Sequence, residues 1–170
     1  WYLHQLSGGN KGLIQGRPQS LAGYQIDSSD DQGVCVDDMS ELEGLKVMII
    51  DDSSTIRRSA EVFLNSSNCE VIFSSDGFEA MAKIVDNRPD IIFIDIVMPR
   101  LDGYQACMLI KKNPYYQSIP IIMLSSKNGL FDKARGRMAG SDDYLTKPFA
   151  GEDLLTVIRK YALRKSATEQ

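Results

Sequence analysis

Beginning at Leu45, short apolar runs alternate with amphipathic stretches five times over, and this pattern constrains the fold more than any other feature. The runs KVMII (46–50), EVIF (70–73), IIFI (91–94), PIIML (120–124) and DYLT (143–146) have the length and content of strands. Helices are expected between them, near 54–66, 77–87, 103–112 and 130–139, with a last one near 152–163. Repeated strand–helix alternation demands an α/β fold, a parallel sheet covered by helices on both faces. The first, third and fourth strands are apolar on both sides, as central strands must be, whereas the second and fifth are mixed and suit the sheet edges. Asp76 with Glu79 reads as a capping box, and Asp102 as the N-cap of the third helix. Ile56, Ala60, Phe63 and Leu64 form an apolar face on the first helix.

Composition narrows the function classes. The net charge of −4 argues against a general nucleic-acid binder. No apolar run approaches the roughly 18 residues needed to span a membrane. Three separated cysteines (Cys35, Cys69, Cys107) suit free thiols in a reducing, cytoplasmic setting and give no zinc spacing. His4, the single histidine, stands far from the strand–helix region, which excludes a histidine-based triad there. Residues 1–43 carry no sustained period, and seven acids with no base fall within 27–43. They are expected to form a flexible acidic linker or the remnant of an upstream region, since the chain opens on Trp1 rather than Met. Residues 44–163 then form the domain, with 164–170 as a polar C-terminal tail.

The chemistry gathers at strand ends. The first strand runs into Asp51-Asp52 and the third into Asp95. In an open parallel sheet, ligands bind outside the carboxyl ends of the strands. If those two strands are neighbours, about 4.8 Å apart, the carboxylates converge. Like charges at such range repel and call for a hard divalent cation: Mg²⁺, or Mn²⁺, held by oxygen ligands. Ser125 ends the fourth strand and Lys147-Pro148 follows the fifth, so the same rim gains a hydroxyl and an ammonium. Such a pocket suits a phosphoryl group. Asp95, flanked on both sides, is the best placed to act as the nucleophile and form an aspartyl phosphate.

The motifs VMIIDDS (47–53), IIFIDIVMPRLDGYQ (91–105), IIMLSSK (121–127) and DYLTKPF (143–149) resemble those of the receiver domain of two-component response regulators, the CheY-like family. The stretches DDSSTIRR (51–58), MPRLDGYQ (98–105) and MLSSKNGLFDKARGR (123–137) are similar to the PilG-type receivers of twitching-motility systems, with phototaxis receivers in the same neighbourhood. The resemblance implies a flavodoxin-like (βα)5 doubly wound sheet with strand order 2-1-3-4-5. It implies that Asp95 accepts a phosphoryl group from a CheA-like histidine kinase, and that Asp51, Asp52, Asp95 and the backbone carbonyl of Val97 hold Mg²⁺. It further implies that Ser125 hydrogen-bonds the phosphoryl group, that Lys147 bridges it to a carboxylate, and that Lys147–Pro148 is cis. Tyr144 matches the aromatic that turns inward when Ser125 moves. Val97 and Lys127, two residues beyond the acceptor and the hydroxyl, offer no carboxylate or amide to position water, so self-dephosphorylation is expected to be slow.

A phosphoryl group acts only through an element with two arrangements. The fourth helix is the candidate, with Asn128-Gly129 before it and Gly136 inside it, Leu130 packed inward, and Phe131 or Met138 exposed as partner anchors. Output is expected from the face of the fourth helix, fifth strand and fifth helix toward a downstream protein, with Arg135 and Arg137 available to an acidic partner. No helix-turn-helix is expected after the last helix. The protein is expected to be a phosphoacceptor rather than a turnover enzyme: no G-x-x-x-x-G-K-[ST] occurs, and Asp51-Asp52-Ser53 lacks the D-x-D of haloacid-dehalogenase phosphatases. Two alternatives stay open, a receiver-fold binding module independent of phosphorylation and the C-terminal receiver of a larger regulator.

Overall fold

The computed structural model describes residues 42–126 and 129–168. The expectations placed on residues 1–41, Lys127 and Asn128 lie outside the described residues. The elements run β1 (Lys46–Ile50), α1 (Ser54–Asn65), β2 (Glu70–Ser74), α2 (Gly77–Asn87), β3 (Ile91–Asp95), α3 (Gly103–Lys112), β4 (Ile121–Ser125), α4 (Leu130–Ala139), β5 (Asp143–Thr146) and α5 (Gly151–Thr168). The five strands are parallel in the order β2-β1-β3-β4-β5, so the mixed runs are at the edges as expected.

Strand alternation builds two cores. Met48, Ile50, Ile92, Ile94 and Met123 face α2, α3 and α4, whereas Val47, Ile49, Phe93, Ile122 and Leu124 face α1 and α5. Both faces of the central strands are buried, which is why their sequences read as unbroken apolar runs. Because all five strands are parallel, their C-terminal ends lie together at one rim.

Local chemistry sets the helix starts. Ser53 caps α1 by accepting from the Ile56 N–H. Asp76 accepts from the Phe78 and Glu79 N–H groups at 2.8 and 2.9 Å. The expected reciprocal half of that capping box is different: the Glu79 carboxylate reaches the Ser75 N–H and the Ser74 hydroxyl, tying α2 to the end of β2. The full capping box instead belongs to α3, between Asp102 and Gln105.

Three further expectations are corrected. On α1, Ala60 and Leu64 are buried but Phe63 is 41% exposed, its ring lying where a side chain at Gly151 would go. Leu130 is 87% exposed rather than packed inward, because α4 turns Gly136 and Ala139 to the core. Helix α5 continues to Thr168, beyond the expected end near 163; Lys165 bonds Asp90 at 2.6 Å and Arg164 lies over the Tyr161 ring, holding the last turns.

Candidate functional site

Asp51 continues β1 by one residue, its N–H donating to the Ser74 carbonyl at 3.1 Å, so its side chain is fixed and fully buried. One carboxylate oxygen accepts from the Ser53 N–H at 2.8 Å, and the other accepts from the Lys147 ammonium at 2.5 Å. Asp95 is the last residue of β3, between β1 and β4, and is also buried. It takes the Val97 N–H at 3.3 Å and lies 3.3 Å from the same ammonium. Asp52 is exposed at the mouth. Ligand oxygens of Asp51, Asp52 and Asp95 lie within 4.8 Å of one another.

The rim is completed by neighbouring strands. Ser125 ends β4 and is buried, and its carbonyl accepts from the Lys147 N–H at 2.7 Å, which anchors the segment after β5. Lys147–Pro148 is a cis bond. Val97 is two residues past β3, with its side chain 73% exposed. Tyr144 is half-buried on β5, with the Lys133 ammonium 5.6 Å from its ring centre. All seven residues named from the sequence therefore surround one strand-end rim or its neighbouring strand.

The electrostatics follow from this crowding. Burial is the largest influence raising the Asp95 carboxyl above its ordinary range, and the Asp51 charge raises it further; Lys147 and the Val97 N–H pull the other way. A net negative cluster with oxygen donors alone fits a hard divalent cation, and it contains no nitrogen or sulfur ligand to favour a softer metal. Mg²⁺ would be held by Asp51, Asp52 and Asp95.

Two residues of the segment after β3 were not singled out for the site. Gly103 opens α3 directly against β3: a methyl group there would collide with the Asp95 carbonyl oxygen and crowd the Ile96 Cα. Its sequence signal, Asp-Gly at a helix start, is shared with ordinary turns. Arg100 has φ +68°, a conformation no periodicity reveals.

The fold and this rim define a class. Residues 47–159 match the response regulator receiver domain, and the chain belongs to that family. Among individual relatives it is similar to Protein PilG of Pseudomonas aeruginosa, 63% identical over 119 residues, covering 70% of this chain and 88% of PilG. It is 35% identical over 125 residues to the response regulator MprA of Mycobacterium sp. (strain KMS), covering 74% of this chain but only 54% of MprA. The chain thus spans most of PilG and about half of MprA. Among solved structures, the chemotaxis protein CheY4 of Vibrio cholerae aligns with TM-score 0.67 and 32% identity, over 69% of this chain and 98% of CheY4. Family membership carries two-component signalling with it. Receiver domains take phosphoryl groups from histidine kinases, generally bind Mg²⁺ through an acidic pocket, and act on downstream targets.

Proposed function

We propose that the chain is a cytoplasmic phosphoacceptor whose Asp95 takes a phosphoryl group from a CheA-like histidine kinase and thereby switches a protein-binding face. The observation that carries this is the convergence of three carboxylates within 4.8 Å and the contact of one ammonium with two of them. In the transfer, an Asp95 carboxylate oxygen forms a bond to phosphorus. The phosphorus–nitrogen bond of the donor phosphohistidine breaks, and its electron pair stays on the imidazole. Asp51, Asp52, Asp95 and the Val97 carbonyl would hold Mg²⁺, which would supply positive charge for the phosphoryl oxygens. Lys147, already between Asp51 and Asp95, faces the new charge from the other side, and Ser125 hydrogen-bonds a phosphoryl oxygen. Burial and the Asp51 charge both disfavour the ionised Asp95 carboxylate, and the Lys147 ammonium acts against them.

Tyr144 and α4 form the responding element, and output passes through the face of α4, β5 and α5. Leu130, Phe131 and Met138 stand exposed on α4 as anchors for a partner. Arg135 has a fold contact as well, its guanidinium 4.5 Å from the Tyr104 ring centre. The likeness to PilG and the three stretches shared with twitching-motility receivers support a role in pilus-driven motility. Among the described residues no helix is long and apolar enough to cross a membrane.

Acetyl phosphate tests the proposal. A single adduct is expected at Asp95 by intact mass and peptide mapping, lost on chelating Mg²⁺ and absent in Asp95→Ala. Absence of any Mg²⁺-dependent adduct on the wild-type chain would refute it.

A further inference from the structure

The loop between β3 and α3, residues 96–102, carries Val97 and is closed at its base by the Gly103 N–H donating to the Ile96 carbonyl at 3.0 Å. At its tip the Leu101 N–H donates to the Pro99 carbonyl at 2.8 Å, two residues back. Arg100, the residue between, has φ +68°. An i→i+2 bond around a positive-φ residue is the rarer, strained hand of the γ-turn, and an arginine there is costlier than a glycine. Strain in a functional loop persists only where surrounding contacts over-determine it.

Those contacts are present. One Arg100 guanidinium nitrogen lies 2.7 Å from the Asp76 carboxylate, on the oxygen not occupied by the Phe78 and Glu79 N–H groups. The guanidinium carbon lies 5.7 Å from the Phe78 ring centre. Next to it Leu101 is buried against Gly77, where an added methyl group would press its side chain at 2.7 Å. Two consecutive loop residues are thus fastened to the first turn of α2, and α2 is itself tied to β2 through Glu79.

We propose that Arg100 is a positioning residue, a latch that holds the loop carrying Val97 onto the N-terminus of α2 and so tunes how tightly the aspartate pocket binds a divalent cation. The inference rests on the metal site proposed above. Arg100 is 66% exposed on its side chain, so its effect is one of tuning and not of folding.

The test is Mg²⁺ titration by calorimetry of the wild type and of Arg100→Ala, Arg100→Gly, Arg100→Lys and Asp76→Asn, with amide hydrogen exchange of residues 97–102 and metal-free melting temperatures. Arg100→Ala and Arg100→Gly are expected to weaken Mg²⁺ binding about two- to five-fold, below the ten-fold or more typical of groups bonded directly to ligands. Exchange in the loop should quicken. Arg100→Gly should melt no lower than wild type, because glycine relaxes the turn, which separates latching from stability. Arg100→Lys should fall between. Asp76→Asn keeps a good N-cap and should match Arg100→Ala, with no added loss in the double variant. Unchanged Mg²⁺ affinity and loop exchange in both Arg100→Ala and Arg100→Gly would overturn the latch alone. Absence of saturable Mg²⁺ binding by the wild type would overturn the metal site with it.

Discussion

At Lys147 one ammonium, 15% exposed, touches two buried carboxylates. Its removal strands negative charge in a low-dielectric pocket, and breaking such a pair costs about 3–5 kcal/mol. Lys147→Met is therefore expected to lower urea-unfolding stability by about that amount, with Mg²⁺ restoring part of it. Val97 makes a second case. Its exposed apolar side chain presents nothing to orient water toward a phosphoryl group on Asp95. Val97→Asn is expected to speed loss of the phosphoryl group by about ten-fold, below the roughly 10²–10⁴-fold of a positioned proton-transfer group because an amide orients the water without taking its proton, as read from adduct decay. A phosphorylated wild-type lifetime of only seconds would contradict this. Titration behaviour belongs to this scale too. Burial pushes the Cys107 thiol up to about 12, and burial followed by the Asp143 charge pushes the Tyr161 hydroxyl up to about 12. Below the ordinary values of 9.0 and 10.0 both folded and unfolded chains hold these protons. Above them only the folded chain does, so the stability they contribute is present below pH 9 and lost toward pH 12. Cys107→Ala should flatten the lower part of that decline in denaturant midpoints measured against pH.

Helix α4 starts without a side-chain cap. Its N-cap is Gly129, with no side-chain hydrogen bond to the first turn. Backbone angles there are extended and open to any residue, and the nearest side-chain atom to an added Cβ is an Asp132 carboxylate oxygen at 3.5 Å. Serine thus suits the site better than aspartate. Gly129→Ser is expected to stabilise α4 by a few tenths of a kcal/mol, detected as slower amide exchange in its first turn. If α4 is the switching element, the same change should weaken its response to beryllofluoride. The interior Gly136 has a different meaning from the weakness expected of it. A methyl group there would approach Ser141 Oγ at 3.1 Å and Met123 Cγ at 3.5 Å, so glycine lets α4 sit close to β4. This shows where the sequence was legible. Strands and helix starts were readable because apolar runs and caps act locally. The inward face of α4 was legible only in part: Phe131 and Met138 are exposed as expected, but Leu130 is exposed with them, and periodicity assigns such an apolar residue to the core. The aspartates, Ser125 and Lys147 were legible because each follows a recognisable strand. The contacts of Arg100 and Gly103 depend on backbone angles and close approach across elements, which residue type alone does not encode.

At the scale of the whole molecule, the carboxylate cluster links metal binding to folding. Three acids from β1 and β3 come together only in the folded sheet, and their mutual repulsion is a cost that the unfolded chain avoids. A cation that binds the native pocket and not the unfolded chain stabilises by RT ln(1 + [L]/Kd). For a site with Kd about 1 mM, about 10 mM Mg²⁺ should add about 1.4 kcal/mol. For a domain of this size that raises the melting temperature by a few degrees. Asp52 is the discriminating position because it is the exposed member of the three. Asp52→Asn removes one repelling charge and one ligand together. Without metal it should melt at or above the wild-type temperature, and with Mg²⁺ it should gain little. The two melting curves, with and without Mg²⁺, should therefore lie apart for the wild type and nearly coincide for Asp52→Asn. Calcium at matched concentration controls for general ionic screening, since both ions carry the same charge and Ca²⁺ prefers more oxygen ligands at longer distances. An equal shift from Mg²⁺ in both proteins would mean that the ion acts elsewhere on the surface, and the aspartate pocket would lose its claim as the metal site.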